Sequence, residues 1–246
     1  MTAQQQPLAH RTRIKICGLT REQDVEAAVE AGADAVGFVL YAKSPRFVNA
    51  ARAAQLARVL PPFVTPVLLF VNEPVESVRA ACDLVPAAML QFHGDETPEQ
   101  CRAASGGTRP YMRAARIPLD EATPFDLVRF ASEHSQANAL LLDAHVEGYG
   151  GAGKAFHWSR LPPSVNCHAV LSGGLTPANV GDGIVQVRPR FRTLAVDVSS
   201  GVEATATGGA LLKGIKDAGK INQFVAAVRA ADQLLARSPH VFLSAT

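Results

Sequence analysis

The stretch RIKICGLTRE, residues 13–22, decides the fold. Its apolar run Arg13–Cys17 reads as a β-strand, and the amphipathic REQDVEAAVEAG after it reads as a helix. A strand passing straight into a helix opens either a doubly wound sheet or a (β/α)8 barrel. An open sheet that binds a dinucleotide usually shows Gly-x-Gly-x-x-Gly at this first turn, so that backbone amides approach a pyrophosphate. Here the turn reads CGLTRE. The strand ends instead on Cys17-Gly18, a thiol followed by the residue that turns most freely.

The same rhythm runs to the end of the chain. Further strands are expected at Ala35–Leu40, Pro66–Val71, Ala88–Phe92, Arg109–Arg113, Ala139–Asp143, His168–Ser172 and Thr193–Val198. Between them lie helical patterns such as ARAAQLARVL, PVESVRAACD and PEQCRAAS, a short FHWSRL, PANVGDGIVQV, and a final INQFVAAVRAADQLLAR. Thr97 with Gln100 and Thr20 with Gln23 have the spacing of a helix cap and its partner. Thr176-Pro177 and Thr123-Pro124 offer proline as a first helical residue. Strands with near-continuous apolar runs, joined by helices, are parallel and covered on both faces. Eight such units in roughly the ~250 residues typical of that fold predict an α/β protein, a single (β/α)8 TIM barrel.

Composition agrees. The chain has 246 residues, 48% hydrophobic and 19% charged, which supplies a large core. A net charge of +2 is too mild to point to nucleic acid or a membrane as partner. Apolar stretches such as AVLSGGL and ALLLD are far too short for a membrane span. MTAQQQPLAHRTR has no apolar segment of the kind a signal peptide needs. Residues 1–12 are therefore expected to be a flexible leader, 13–236 the barrel and 237–246 a tail, in a cytoplasmic protein. The four cysteines, at 17, 82, 101 and 167, form neither a C-x-x-C pair nor a histidine cluster, which argues against a zinc site and a disulfide framework.

In a barrel of this kind the active site is built from the loops after the strands. The residues collected there are Cys17-Gly18, Arg46 within AKSPRFV, Asn72, the QFHGDE segment with Gln91 and His93, Arg113, and Asp143 ahead of a glycine-rich loop. The seventh strand runs into SGGLTP with Gly173 and Gly174, and the eighth into DVSSGVE with Ser199, Ser200 and Gly201. Amides converging from these two neighbouring loops, beside a small helix expected at TGGAL, would cradle a phosphate. Arg46, on a turn fixed by Ser44-Pro45, is suited to grip a carboxylate with two parallel hydrogen bonds. Between those two ends stand Cys17 and Asp143, a thiolate that can take a proton and a carboxyl group that can give one. That pair suits an isomerase with no cofactor and no metal.

The motifs KICGLT, GFV with SPRFV, QFHGDE, LLLDA with GGAGKAFHW, LSGGLTPANV and DVSSGVE resemble, in order and spacing, the phosphoribosylanthranilate isomerases of tryptophan biosynthesis. The resemblance spans roughly residues 13 to 230. It implies an Amadori rearrangement of N-(5-phosphoribosyl)anthranilate, with Asp143 as general acid, Cys17 as general base and Arg46 on the anthranilate carboxylate. It further implies Gly173, Gly174, Ser199, Ser200 and Gly201 at the phosphate, and His93, Asp197 and Glu203 as polar groups at the rim. A small phosphosugar would be the partner, and the chain a monomer or weak homodimer. Departures from the family pattern are Ala152, where a threonine or serine is usual, and Lys213-Gly214-Ile215 in place of a proline-glycine before Lys216-Asp217. A related barrel isomerase of histidine biosynthesis would be expected to carry an aspartate where Cys17 stands.

Overall fold

The structure, a computed structural model, describes residues 11–120, 122–145 and 156–237. Eight parallel strands close into a barrel in chain order: β1 Arg13–Cys17, β2 Ala35–Val39, β3 Thr65–Phe70, β4 Met89–Phe92, β5 Tyr111–Pro118, β6 Ala139–His145, β7 Val165–Leu171 and β8 Phe191–Val198. Closure sets Lys15 of β1 level with Asp197 of β8. Helices α1 Glu22–Glu30, α2 Ala50–Ala57, α3 Val75–Leu84, α4 Pro98–Ala104, α5 Leu127–Glu133, α6 Val180–Val187 and α7 Ala218–Arg237 intervene between strands or follow the last. FHWSRL supplies only a 3-10 turn, Trp158–Arg160.

Strand alternation sorts side chains to two faces. Outward residues such as Ile14, Ile16, Phe38, Leu68, Phe70, Leu90 and Leu142 meet Val25, Leu56, Val78 and Phe224 from the helices in the main core. Phe38, Phe70, Phe92 and Phe224 are its largest fully buried members, and truncating any of them to alanine costs roughly 3–5 kcal/mol. Inward residues form two smaller clusters. Val67, Met112, Ala114, Leu141 and Val170 pack together, while Cys17, Val39, Leu69 and Val71 make a second group. Ala35, Ala139 and Ala195 are too small to fill the N-terminal end of the barrel, where a cavity of about 410 Å³ remains.

Four local expectations fail for identifiable reasons. Thr20 does not cap α1; its hydroxyl donates to Gly214 O at 2.8 Å, and the helix begins after Arg21. Pro177 and Pro124 lie in turns ahead of helices that start later, after Asn179 and Asp126. Asp126 accepts from the Arg129 amide as a cap should, whereas Asn179 folds its side chain back onto the Thr176 amide at 2.8 Å. The segment TGGAL is not helical. It is the turn of an antiparallel hairpin, β9 Glu203–Thr205 with β10 Leu211–Lys216, closed by Ala206 N donating to Ala210 O at 2.8 Å. Gly209 there has φ +85°, a conformation that suits a glycine turn and not a helix. The Thr97–Gln100 capping box of α4 is present with both hydrogen bonds.

The two ends of the chain interlock. Thr12 donates from its amide and hydroxyl to Asp232 on α7 at 2.9 and 2.6 Å, and accepts from Arg229 through its carbonyl at 2.8 Å.

Candidate active site

The candidate site residues gather at one rim of the barrel, at or just past the C-terminal ends of their strands. On β1 the alternation puts Lys15 and Cys17 on one face, pointing into the barrel. Both are buried, at 3% and 4% exposure. A methyl group on Gly37 would stand 2.7 Å from Cys17 Sγ and 2.9 Å from Lys15 Nζ, so the absence of a side chain there is what lets thiol and ammonium lie together. Lys15 Nζ donates to Asp197 Oδ1 at 2.8 Å, and Ser172 Oγ donates to Asp197 Oδ2 at 3.2 Å. Burial alone would lower the Lys15 ammonium, but the Asp197 carboxylate and the Cys17 sulfur raise it above its ordinary value. Burial pushes the Cys17 thiol up; Lys15 and Lys216 pull it back in part, against Asp197.

Arg46 reaches over this group. Its Nε and Nη2 donate to the two oxygens of Glu203 at 2.6 and 2.9 Å, across 157 positions of sequence. Its stem fills the space above Gly18, where a Cβ would be 2.5 Å from Arg46 Cδ and where φ is +77°. Glu203 is completely buried, and its Oε1 also takes the Gly214 amide at 2.8 Å and Lys216 Nζ at 3.3 Å. Burial would raise the Glu203 carboxyl, but Arg46, Lys216 and the Gly214 amide hold it below its usual range. Glu203 thus organises the rim from beneath. The fork that the sequence suggested for a ligand carboxylate is occupied on one edge by Glu203, which leaves the Nη1 edge of Arg46 to face a ligand.

On the far side Asp143 ends the run that includes inward Leu141 on β6. It is buried; its Oδ1 accepts its own neighbour's amide, Ala144 N, at 2.9 Å, and its Oδ2 lies 3.0 Å from His93 Nε2. His93 Nδ1 in turn meets Gln91 Nε2 at 3.0 Å. With the Gln91 amide donating to Nδ1, the ring proton sits on Nε2 and points at Asp143. Gln91 Oε1 is buried and finds no hydrogen-bond partner among the described residues. Arg113, expected near the rim, faces outward from β5. It is buried, and its guanidinium donates to the carbonyls of Phe92, Gly94 and Glu96 at 3.0–3.2 Å, fixing the loop that carries His93.

The loops after β7 and β8 touch. Gly173 and Gly174 have φ of +78° and +64°. A Cβ on Gly201 would be 2.0 Å from Leu175 O, so this position accepts only glycine while the loops stay in contact. Ser199, Ser200 and Gly201 are half-buried at the rim beside them. Ser199 is held from behind by Lys216 Nζ, which donates to its carbonyl at 2.9 Å.

The sequence matches the family model described as "PRAI: N-(5'phosphoribosyl)anthranilate (PRA) isomerase" over residues 14–227, most of the chain. The chain belongs to the N-(5'-phosphoribosyl)anthranilate isomerase family. It is 61% identical over 229 residues to the enzyme of that name from Methylibium petroleiphilum, covering 93% of this chain and 99% of that one. Against the counterpart from Dechloromonas aromatica the identity is 56% over 223 residues, 91% and 99% of the two chains. Among solved structures it is similar to phosphoribosyl anthranilate isomerase from Thermotoga maritima, with a TM-score of 0.72 and 37% identity over 89% of this chain and 99% of that one. A further isomerase structure, described as a complex with reduced 1-(o-carboxyphenylamino)-1-deoxyribulose 5-phosphate, aligns with a TM-score of 0.69 and 34% identity, again over 89% and 99%.

For this member of the isomerase family the rim residues of the motifs fall into two assemblies. Cys17, Arg46, Asp197, Ser199 and Glu203 form one with Lys15 and Lys216; His93 and Asp143 form the other with Gln91. Sequence reasoning passed over Lys15 as a site residue. The signal was available, because a lysine two places before Cys17 must share its inward face, and a buried cation demands a partner. Lys216 carried no such signal, since its position depends on a hairpin read as a helix. Ala152 lies outside the described residues.

Proposed function

We propose that this chain performs the Amadori rearrangement of N-(5-phosphoribosyl)anthranilate to 1-(2-carboxyphenylamino)-1-deoxyribulose 5-phosphate by two proton transfers across the barrel mouth. The observation that supports the reading is the pair of buried, inward-facing groups near the C-terminal ends of β1 and β6, the Cys17 thiol and the Asp143 carboxyl. The carboxyl of Asp143, supported by His93, gives a proton to the ribose ring oxygen. The bond from that oxygen to C1′ breaks as the anilino nitrogen lone pair forms a C1′=N Schiff base. The thiolate of Cys17 then removes the proton on C2′, and the electrons of that bond give the C1′=C2′ enolamine. The enolamine gains a proton at C1′ and loses one from its 2′ hydroxyl, so the product is an isomer of the substrate.

Binding divides along the rim. Gly173, Gly174, Ser199, Ser200 and Gly201 supply amides and hydroxyls for the phosphate, and the Nη1 edge of Arg46 takes the anthranilate carboxylate. Asp197 and Glu203 act behind them, the first on Lys15 and the second on Arg46. We assign the enzyme to the cytoplasm and to a monomeric or weakly dimeric state, the latter read by sedimentation across a concentration series. The chemistry itself is tested by the loss of anthranilate-type fluorescence when phosphoribosylanthranilate, generated in situ, meets the enzyme. Wild type should quench it rapidly, and Cys17→Ala should slow turnover by about 10²–10⁴-fold, the range for a general base. A Cys17→Ala variant as fast as wild type removes the thiol from the mechanism.

A further inference from the structure

Among the described residues, the cations around Cys17 outnumber the carboxylates. Lys15, which also interacts with the Cys17 sulfur, is offset by Asp197 at 2.8 Å, and Arg46 occupies both oxygens of Glu203 at 2.6 and 2.9 Å. Lys216 arrives third, at 3.3 Å from an oxygen already engaged, and its shorter contact is to a neutral carbonyl, Ser199 O at 2.9 Å. Its side chain is wholly shielded from solvent. A buried ammonium without a full counter-charge is costly, by several kcal/mol per ion, so an anion that forms nearby is favoured to the same extent. Lys216 Nζ also lies 3.4 Å from Ser199 Oγ, and that oxygen packs against Gly18, the neighbour of Cys17, whose thiol becomes an anion if it is the base.

We propose that Lys216, delivered by the β9–β10 hairpin, is a second counter-charge that, beside the Asp197-paired Lys15, makes Cys17 usable as a thiolate, a positioning residue acting through the sulfur rather than on the substrate. The inference rests on Cys17 being the base. The charged groups facing Lys216 are Glu203 from β9, Arg46 from the loop after β2, and Cys17 on β1, with the Lys15–Asp197 pair behind the sulfur. Asp24 of α1, itself paired with Arg21, accepts the Lys216 amide at 3.1 Å and fixes the strand that carries it. Burial and Arg46 draw the ammonium down, and Glu203 and Cys17 draw it up, leaving it at about 8.

The experiment reads the thiol directly, without substrate. The ionisation of Cys17 is followed by ultraviolet thiolate absorbance and by alkylation rate against pH, with Cys17→Ser subtracting the other cysteines. In Lys216→Met the curve should move up by about one pH unit or more, a tenfold or greater loss of thiolate at neutral pH, and the acid limb of kcat/KM should move with it. Lys216→Arg should keep the wild-type acid limb and extend activity to higher pH, since guanidinium does not discharge. If Lys216→Met is unfolded by circular dichroism, the Arg variant decides: an alkaline fall-off unchanged from wild type overturns the proposal. So does a Lys216→Met variant whose KM rises tenfold with the thiol curve unmoved, which would give the lysine to a substrate anion. An inactive wild type with a shifted thiol curve would instead refute the reaction and leave the ion pair standing.

Discussion

The two sides of the barrel mouth hold their reactive groups by different physics. Around Cys17 the neighbours are formal charges, Lys15 with Asp197 and Arg46 with Glu203 and Lys216. Around Asp143 they are hydrogen bonds passed along a chain of side chains, Gln91 to His93 to the carboxylate. A base that is neutral at rest and must become an anion needs cations already in place, because burial opposes its ionisation. Asp143, the proposed acid, is held instead by two N–H donors, Ala144 N and His93 Nε2, rather than by a lysine or arginine. The contrast teaches that burial alone does not set a group's role; the sign of what surrounds it does.

The contrast can be broken from either side. Asp143→Asn keeps the shape and removes the acid, so turnover should fall by about 10³–10⁴-fold with KM little changed, measured by the same fluorescence decay. Retained activity would move the acid elsewhere. Glu203→Ala strands Arg46 and Lys216 as buried cations, and should cost about 3–5 kcal/mol in urea unfolding; a cost below about 1 kcal/mol would mean water enters and the charged side is less dry than it looks. His93→Asn preserves a donor toward Asp143 but severs the link to Gln91, and should lower kcat by about tenfold with unfolding unaffected. A change confined to stability would make His93 a packing residue. At the opposite end of the barrel Phe63, fully exposed with φ +72°, should tolerate Phe63→Asn with a gain of about 0.5–1 kcal/mol and no change in rate. A loss of stability there would show that the aromatic ring is engaged in solution.

The barrel was legible because its signal is repeated in every unit: short apolar strands alternating with helices, and a first turn without the glycines of a dinucleotide site. The proposed pair could be singled out because Cys17 ends the apolar run RIKIC and Asp143 the run ALLLD. What stayed hidden depends on pairs distant along the chain. Nothing near Arg46 announces Glu203, and the hairpin that brings Lys216 inward was masked by glycines whose turn geometry was taken for a helix. Strand ends were misjudged where charge interrupts a strand. YMRAARIP runs on to Pro118 because Arg113 finds backbone carbonyls for its guanidinium and lies 5.6 Å from the Phe130 ring centroid on the outer face.

The clasp between Thr12 and Asp232 has a consequence for how the enzyme is made. β1, the first described strand, carries the thiol, yet it is secured by α7, its loop by Gly214 and the following helix by Lys216, from the last part of the described chain. Contacts spanning some 190 to 220 residues form only after nearly everything between them has been synthesised, and such long-range closures are slow. The surroundings of Cys17 are therefore expected to assemble late, when the β9–β10 hairpin and α7 seat against β1.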